Sequence, residues 1–513
     1  MTDLLDLSDE LLLNVTTNLR PSSDDFKEGY SALKSLSLVC RRLRPISQDA
    51  LFRSIVIQNL KEDVIDFPRI AKLVRTFLER PELAKRVQSC ELSLKESFYT
   101  PISNERGQMT RKSKGIFPDG SEGSREAMLV LGEAFCAKIR REHSTTVFDD
   151  EWMSRYRNGS NQAMVGILLT LTSRLGHLAL DLFRTQTVRY HDDEHTTKLK
   201  IPETFSLTSL FGCMSGESSI LSKIATLESI RSSNVLPAPF YWLPGLKEVR
   251  LVVSHRTSVP KFQETSDQLE KLFFTNQIHT FTVDVDPFLC SPGSVFFPRA
   301  ASKVLGDLVP KFANLRSLTL WLLPLDRHTF TNNRIDFGFP TKMIASESLE
   351  TLSIDTTSLN TTSLSNRILA FHLGNDVWPA QSFTRLPRLR HLKGPQEMFF
   401  AAHQSLATCV LPVSIESIDI FDSTHAVKRY MNHLVNNKHQ HPSLTDISFR
   451  LRHRTEYMVT DTRIKWEVQT VETGEIEEAE TSWAGDFDFG DFVWDYLKDI
   501  GIKVHGLGTA VLD

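Results

Sequence analysis

The pattern of apolar and polar positions divides the chain into a helical start and a long repetitive body. In "LSDELLLNV" and its continuation, a helical repeat of about 100° per residue gathers apolar residues into one stripe. The stripe contains Leu7, Leu11, Leu12, Val15 and Leu19. Ser8 is a suitable N-cap, and the acidic side chains of Asp9 and Glu10 favour the helix N-terminus. Leu13 lies outside the stripe, close to the opposite side, so this helix is apolar on two faces.

A second helix is predicted in "ALKSLSLVCRRLRPISQDALF", where Pro45 suits the first position of a third helix. The second stripe contains Ala32, Leu33, Leu36, Val39, Cys40 and Leu43. Leu38 lies opposite this stripe, among Arg41 and Arg42. Three short helices bury little surface by themselves, so Leu13 and Leu38 are surplus to their core. Periodicity leaves two interpretations open: the surplus residues pack on a neighbouring domain or on a separate partner.

The residues of these helices resemble the F-box. That family's pattern begins Leu-Pro-x-Glu-Leu-Leu, continues with Val-Cys-Arg/Lys-Arg-Trp, and closes with Trp or Phe. The matching positions are Leu7, Glu10, Leu11, Leu12, Val15, Leu19, Leu36, Val39, Cys40, Arg41, Arg42 and Phe52. The chain departs from the pattern in having Ser8 in place of the proline, Leu43 in place of the tryptophan, and a longer loop over 20–31.

The resemblance implies an F-box adaptor-binding domain over residues 1–57. In that family one face of the helices packs internally, and the other binds the Skp-type adaptor of cullin–RING ubiquitin ligases. The adaptor-binding residues implied here are Leu7, Ser8, Glu10, Leu11, Leu12, Leu13, Val15, Leu38, Val39, Cys40, Arg41, Leu43 and Phe52.

A hexamer of the form apolar-x-x-apolar-x-apolar recurs from residue 87 onward. The full copies begin at Val87, Leu175, Leu246, Ile278, Leu315, Leu349, Ile415 and Leu444, and partial copies begin at Leu227 and Leu389. The last two apolar positions are two residues apart, as a one-sided strand requires. From Leu246 the successive spacings are 32, 37, 34, 40, 26 and 29 residues, which resembles a degenerate leucine-rich repeat. The alternative is a set of ordinary core strands in an α/β domain.

The predicted fold class is therefore α/β: the F-box, then a leucine-rich-repeat-like solenoid over 58–460 with parallel strands on its concave face. The outward-pointing strand residues would form a protein-binding surface, since an exposed aromatic beside arginine and aspartate is typical of binding hot spots. The candidate substrate-binding residues are Arg250, Asp284, Thr319, Trp321, Asp355, Asp419, Phe421 and Arg450, with Thr282 on the same face.

Two further segments differ in composition from the repeats. Residues 101–126 are polar and rich in Gly and Ser, which favours a mobile insertion. Residues 461–513 contain 13 acidic and 4 basic residues, and their aromatics are interpreted as a cap on the solenoid. Strands are expected in "RLRHRTEYMV" and "RIKWEVQTVETGEIEEAET", the second turning at Thr473–Gly474.

Composition narrows the functional classes. A net charge of −4 argues against a general nucleic-acid binder. The 6 cysteines are scattered without a C-x-x-C pair, which predicts reduced, mostly buried thiols. The acidic N-terminus does not favour a secretory signal, and no apolar run is long enough for a transmembrane helix. We expect a cytosolic or nuclear protein without a membrane partner.

Candidate catalytic chemistry is limited to "HDDEH", where His191 and His195 have a spacing that metal ligands use on a helix. The flanks carry no helical apolar stripe, so a solvated loop without a metal is favoured. We find no other catalytic motif and expect no cofactor. The leading hypothesis is a substrate receptor of an SCF-type ubiquitin ligase with a Skp-type adaptor, a cullin and an unknown protein substrate as partners. A scaffold that acts without ubiquitination and a metal-dependent hydrolase centred on the two histidines are the alternatives.

Overall fold

The structure is a computed structural model of the full chain, and it forms two compact units. The first comprises 1–251 with 260–277, and the second comprises 252–259 with 278–513. The residues that the structure describes are 7–19, 26–58, 69–95, 102–103, 109–110, 122–143, 148–157, 160–189, 196–202, 207–212, 224–232, 240, 243–254, 277–286, 299–322, 335–336, 344, 346–355, 377–378, 380, 382–400, 409–423, 430, 433–434, 436–451, 457–460, 463–466 and 503–506.

The helices are concentrated in the first unit. They are α1 (Asp9–Asn18), α2 (Phe26–Val39), α3 (Leu43–Arg53), α4 (Arg69–Glu79), α5 (Pro81–Ala84), α6 (Glu122–His143), α7 (Asp150–Arg157), α8 (Asn161–Leu171) and α9 (Leu207–Phe211), followed in the second unit by α10 (Arg299–Leu308) and α11 (Gln396–Phe399). Short 3-10 turns occupy Val309–Lys311 and Lys438–Gln440. Within the described part of the chain, none of the helices combines the length and apolar composition that crossing a membrane requires.

The first unit contains a parallel sheet with strand order β1-β2-β5-β7-β8. Its strands are β1 (Ser54–Gln58), β2 (Ser89–Lys95), β5 (His177–Arg189), β7 (Ser229–Ser232) and β8 (Glu248–Ser254). The far half of β5 pairs antiparallel with β6 (Thr196–Pro202), and β3 (Ile102–Ser103) pairs antiparallel with β4 (Met109–Thr110). Helices α4, α6 and α8 pack together, and α8 is buried along nearly its whole length.

The second unit contains parallel strands in the order β9-β10-β12-β14-β15-β16-β19. They are β9 (Thr280–Asp286), β10 (Ser317–Leu322), β12 (Thr351–Asp355), β14 (His391–Pro395), β15 (Ser417–Ser423), β16 (Asp446–Leu451) and β19 (Lys503–Gly506). Separate small pairs are formed by β11 (Ile335–Asp336) with β13 (Val377–Trp378), and by β17 (Tyr457–Thr460) with β18 (Arg463–Trp466).

The hexamer prediction is confirmed at each of the ten copies, full and partial. Every copy forms a parallel strand that begins at its third residue, as in Leu315 with β10 starting at Ser317. The first residue of every copy is buried, and so is the fourth. In the copy from Leu315, the core positions Leu318 and Leu320 are fully buried, and they lie beside Phe281 and Val283 of β9 in register. The apolar pattern therefore fixes both the strand positions and the face that packs inward.

A repeated backbone hydrogen-bond pattern links successive copies. The carbonyl oxygen of the second residue in one copy accepts from the amides of the second and third residues of the next. Arg316 and Ser317 both donate to His279 O at 2.9 Å, and Glu350 and Thr351 donate to Arg316 O at 2.9 and 2.8 Å. The pattern recurs within the first unit, where Lys247 donates to Glu228 O at 2.8 Å. The backbone amides at the start of each strand thus find their hydrogen-bond acceptor in the preceding copy, as stacked repeats require.

Several predicted boundaries shift. The expected end of the first domain at residue 57 falls inside β1, which follows α3 directly. The predicted insertion over 101–126 includes β3, β4 and the start of α6 at Glu122, and its remaining residues lie outside the described part. Within the predicted cap over 461–513, β18 and β19 are described, and β19 joins the sheet beside β16. The predicted turn at Thr473–Gly474 lies outside the described residues.

Candidate functional site

The three N-terminal helices form a small helical layer in which α1 and α2 both pack on α3. The Ser8 hydroxyl accepts a hydrogen bond from the Leu11 amide at 3.4 Å, so the predicted N-cap is confirmed. Hydrogen bonds from its own backbone amide and from the Ser8 hydroxyl lower the pKa of Glu10. Helix α3 begins at Leu43, two residues earlier than predicted, with Pro45 in its first turn.

The face of α1 that packs inward differs from the predicted stripe. Leu12 and Thr16 are each 1% exposed, whereas Leu11 is 50% exposed and Val15 and Leu19 also face solvent. Thr16 can be buried because its hydroxyl donates to Leu13 O at 2.9 Å. The helix is therefore rotated toward Leu12 and Thr16, and the assignment of Leu11, Val15 and Leu19 to the core was wrong.

The last two residues of α2 are also apolar and exposed. Leu38 is 77% exposed, as its position opposite the stripe predicted, and Val39 is 67% exposed, which corrects its assignment to the core stripe. Arg42 ties this end of α2 to the start of α1. Its guanidinium donates to Leu7 O at 2.7 Å and lies 2.9 Å from an Asp9 carboxylate oxygen. Arg42, three residues after the end of α2, thus connects the chain that follows α2 to the start of α1.

The predicted adaptor-binding residues divide by exposure. Exposed are Ser8, Glu10, Leu11, Val15, Leu38, Val39 and Arg41; half-buried are Leu7, Leu13, Cys40 and Phe52; buried are Leu12 and Leu43. Leu12 and Leu43 belong to the internal packing of the helices, so the assignment of these two to an adaptor surface is corrected. Phe52 packs against the buried ring of Phe77 on α4, with centroids 6.0 Å apart. We define the apolar face of the helical layer as Leu11, Val15, Leu19, Leu38 and Val39.

The helical layer is fastened to the sheet of the first unit. The Tyr30 hydroxyl on α2 accepts from the Val56 amide of β1 at 3.0 Å, and burial raises the pKa of Tyr30. Asp49 on α3 pairs with Arg53 at 2.7 Å and with Arg86, in the turn before β2, at 3.1 Å. The Gln88 amide donates to Arg53 O at 2.9 Å. A surface on these helices is consequently held in a fixed relation to the adjoining strands.

The second candidate surface is the polar face of the strands. In the second unit, the fifth residues of successive hexamer copies lie side by side in register on this face. They are Thr282, Thr319, Ser353, Lys393, Asp419 and Ser448. Trp321 lies between Asp284 and Asp355 in the same way, two residues further along the strands. The alternation predicted from the sequence therefore brings these predicted substrate-binding residues together on one face.

Exposure on this face is uneven. Asp284 is 1% exposed, and Thr282 and Asp355 are also buried, so the prediction that these three are accessible is wrong. Trp321 and Thr319 are half-buried. Strand alternation predicts the face on which a residue lies. It does not predict whether other residues cover that face. The side chains of Phe421 and Arg450 lie outside what the structure describes, although both residues are in strands.

On β14, β15 and β16 the polar face carries half-buried side chains that bond to one another, with His391 exposed beside them. Lys393 is 3.4 Å from an Asp419 carboxylate oxygen, and the Ser448 hydroxyl donates to Asp419 at 3.0 Å. His391 and the Ser417 hydroxyl are 2.8 Å apart on the same strands. Lys393 was missed from the sequence because its hexamer copy is partial, and alternation within that copy is the signal that identifies it.

In the first unit, the polar face carries Arg250, a predicted binding residue, on β8. It is half-buried and lies directly beside Arg231 of β7, which is exposed. Arg231 was also missed, since it belongs to the other partial copy, from Leu227. Two arginines therefore occupy neighbouring positions of one sheet.

The predicted metal candidates His191 and His195 lie outside the described residues, in the connection between β5 and β6. Elsewhere, among the side chains that the structure describes, no cluster of three or more potential metal ligands occurs. The four cysteines within the described ranges, Cys40, Cys90, Cys136 and Cys409, are free thiols, and all but Cys40 are buried. Burial raises the pKa of Cys90 and of Cys136 to about 12, so these two thiols remain protonated at neutral pH.

No family model, curated protein or solved structure matches this chain.

Proposed function

We propose that this chain is the substrate-recognition subunit of an SCF-type cullin–RING ubiquitin ligase. In this proposal the N-terminal helices are an F-box that docks a Skp-type adaptor, and the repeat strands form a solenoid that binds a protein substrate. The observation that carries the proposal is the apolar face of the helical layer. Its side chains are exposed although the helices have a core of their own.

Exposed apolar side chains are unfavourable in water, and several of them within one small helical layer commonly mark a protein–protein interface. Four residues of this face, Leu11, Val15, Leu19 and Val39, are positions at which the chain matches the F-box pattern. The packing of the helices does not account for these residues, since Leu12, Leu33 and Leu43 supply the buried core instead. An external partner accounts for them, and in the family that the sequence resembles this partner is a Skp-type adaptor.

The link between the helices and the sheet supports a positioning role. The pairing of β1 with β2, together with the Tyr30 and Asp49 contacts, holds the helical layer against the strands. A protein bound on the strands of the first unit would then be held at a defined distance from the adaptor. The receptor would contribute high local concentration and orientation, while the bond-making residues would belong to other subunits.

The direct test is co-purification of the full chain with a co-expressed Skp-type adaptor. We expect recovery with the natural sequence and loss in the double variant L38D/V39D. Burying unpaired carboxylates at an interface costs several kcal/mol, which corresponds to about a hundredfold or more in affinity. Leu13 is less suitable for this test because it is half-buried and its substitution would also disturb packing.

The matched control is V130D/V413D, which places the same charges at two valines that are 61% and 65% exposed elsewhere. It should bind the adaptor like the natural chain. Equal recovery of L38D/V39D and the control would refute the F-box assignment. Addition of the cullin, the RING subunit and the ubiquitin-charging enzymes then separates a ligase receptor, which supports ubiquitin transfer, from a scaffold, which binds the adaptor without transfer.

A further inference from the structure

Exposed apolar and basic residues lie together in the turns that lead into β14 and β15. Val410 and Val413 are 51% and 65% exposed, and outside the helical layer only Val130 is comparably exposed among the large apolar side chains that the structure describes. Arg385 and Arg388 are exposed in the neighbouring turn. We define the turn surface as Arg385, Pro387, Arg388, Val410 and Val413.

Backbone contacts hold the two turns side by side. The Phe383 amide donates to Val410 O at 2.9 Å, and the Ser414 hydroxyl donates to Leu389 O at 2.8 Å. These bonds join the two segments at both ends of the turn surface. The valines of one turn and the arginines of the other therefore belong to one continuous surface of the second unit.

The charges of Arg385 and Arg388 are available to an external group. Neither guanidinium forms an ion pair or a hydrogen bond with a residue that the structure describes. Arg390 differs in this respect, because its guanidinium lies 3.6 Å from a Glu416 carboxylate oxygen. The residue that corresponds to Arg388 in the next turn is the uncharged Ser414. An anionic group can therefore approach Arg385 and Arg388 without displacing an internal partner.

The composition of the turn surface favours a protein partner. Exposed apolar side chains beside arginine are typical of protein interfaces, where apolar contact excludes water from the charged hydrogen bonds. Pro387 and Val413 are both exposed two residues before the first apolar residue of their copies, so the apolar part spans both turns. The complementary segment carries apolar side chains and carboxylates, whose two oxygens match the planar fork of a guanidinium group.

Other anionic partners fit this surface less well. Membrane surfaces are bound by clusters of about 4–8 basic residues, whereas this surface offers only Arg385 and Arg388. Nucleic acid is disfavoured by the net charge of −4 and by Glu347, which is exposed at the corresponding position of the turn before β12.

We propose that the turn surface binds an acidic segment of a partner protein in which carboxylates and apolar side chains are interspersed. The carboxylates pair with Arg385 and Arg388, and the apolar side chains cover Val410 and Val413. The inference rests on the proposed function only in identifying the partner as the recruited substrate, since the contact itself needs no adaptor.

The experiment measures fluorescence anisotropy of a short labelled peptide of alternating Glu and Leu with the full chain. A Glu–Ser peptide of the same length keeps the charge without the apolar groups, and a Lys–Leu peptide reverses the charge. We expect the Glu–Leu peptide to bind more tightly than both, because only this peptide complements the arginines and the valines together.

Two double variants separate the contributions. R385Q/R388Q should weaken binding of the Glu–Leu peptide about fivefold or more, since both charged contacts are removed. The matched control R141Q/R174Q removes the same charge from two exposed arginines of the first unit and should change the affinity by less than about twofold. V410S/V413S should lower the affinity for the Glu–Leu peptide to that for the Glu–Ser peptide.

The inference is overturned by equal binding of the Lys–Leu peptide, by equal losses in R385Q/R388Q and R141Q/R174Q, or by unchanged binding in V410S/V413S. Cosedimentation with phosphatidylserine vesicles that R385Q/R388Q abolishes would overturn it in favour of a membrane. A dimer in analytical ultracentrifugation that V410S/V413S abolishes would overturn it in favour of a second copy of the chain. Unchanged melting temperatures show that lost binding is not lost folding, and the arginine pair decides if the valine variant is less stable.

Adaptor co-purification is measured on the same preparations. A chain that binds the Glu–Leu peptide through the turn surface without binding the adaptor supports this inference and contradicts the proposed function. Adaptor binding without peptide binding contradicts this inference alone.

Discussion

Leu320 shows what a single core residue contributes to the repeat. It is the sixth residue of its hexamer, is fully buried, and lies in register between Val283 of β9 and Ile354 of β12. Its neighbour Thr319 points to the other face of the strand and is half-buried. The two adjacent residues therefore differ in the apolar area that folding removes from water, which dominates stability at such positions.

Leu320→Ala should destabilise the second unit by about 2–5 kcal/mol, because truncation leaves a cavity among close-packed side chains. Thr319→Ala should change the free energy of unfolding by less than about 1 kcal/mol. Chemical denaturation of both variants, followed by circular dichroism, measures the difference. A larger loss for Thr319→Ala than for Leu320→Ala would mean that the face of β10 is inverted.

At this scale, apolar alternation predicts faces well and exposure less well. The pattern assigns Leu318 and Leu320 correctly to the core, but Asp284 and Asp355 are buried on the face expected to be accessible. Thr16 could not be predicted as buried, because its burial depends on the hydrogen bond to Leu13 O. A hydrogen bond from a side chain to a nearby backbone carbonyl depends on backbone geometry, and the hydropathy pattern does not contain that information.

At the scale of elements, β1 is the junction between the helices and the sheet. It continues directly from α3, pairs with β2, and has its Val56 amide bonded to the Tyr30 hydroxyl. The hexamer copies from residue 87 onward include neither β1 nor β19. "FRSIVI" from Phe52 also fits the hexamer, and β1 begins at its third residue, Ser54, whereas "GIKVHG" at β19 lacks the leading apolar residue. β19 is defined by its pairing with β16, which is tertiary information. The ten strands in the copies from residue 87 onward were predictable because their periodicity is local and repeated, and the same signal was available for β1.

Tyr30→Phe should cost about 1–2 kcal/mol of stability, because the buried amide of Val56 loses its partner. Hydrogen exchange at Val56 should accelerate as β1 loosens from α2. Ser37→Ala, which removes an exposed hydroxyl bonded to Lys34 O on the same helix, is the control and should leave both quantities nearly unchanged. Unaltered stability and unaltered exchange at Val56 in Tyr30→Phe would show that α2 does not anchor the sheet.

At the scale of the whole molecule, we propose two tasks on different surfaces. The apolar face of the helical layer would bind the adaptor, and the polar strand faces would bind the recruited protein. The existence of both surfaces was predictable from sequence, because surplus leucines and strand alternation are local signals. Their composition was not fully predictable. Helix α1 buries Leu12 and Thr16 but exposes Leu11, Val15 and Leu19 of the predicted stripe, and Arg231 and Lys393 lie in partial copies.

The most direct test of the central claim is hydrogen exchange of the full chain with and without a saturating Skp-type adaptor. Adaptor binding should slow exchange in peptides that cover α1 and the last turn of α2, because the apolar face becomes buried there. Exchange in β10 and β15 should stay unchanged. Slowing that is confined to the strands, or no slowing anywhere in α1 and α2, would contradict the assignment of this face to the adaptor.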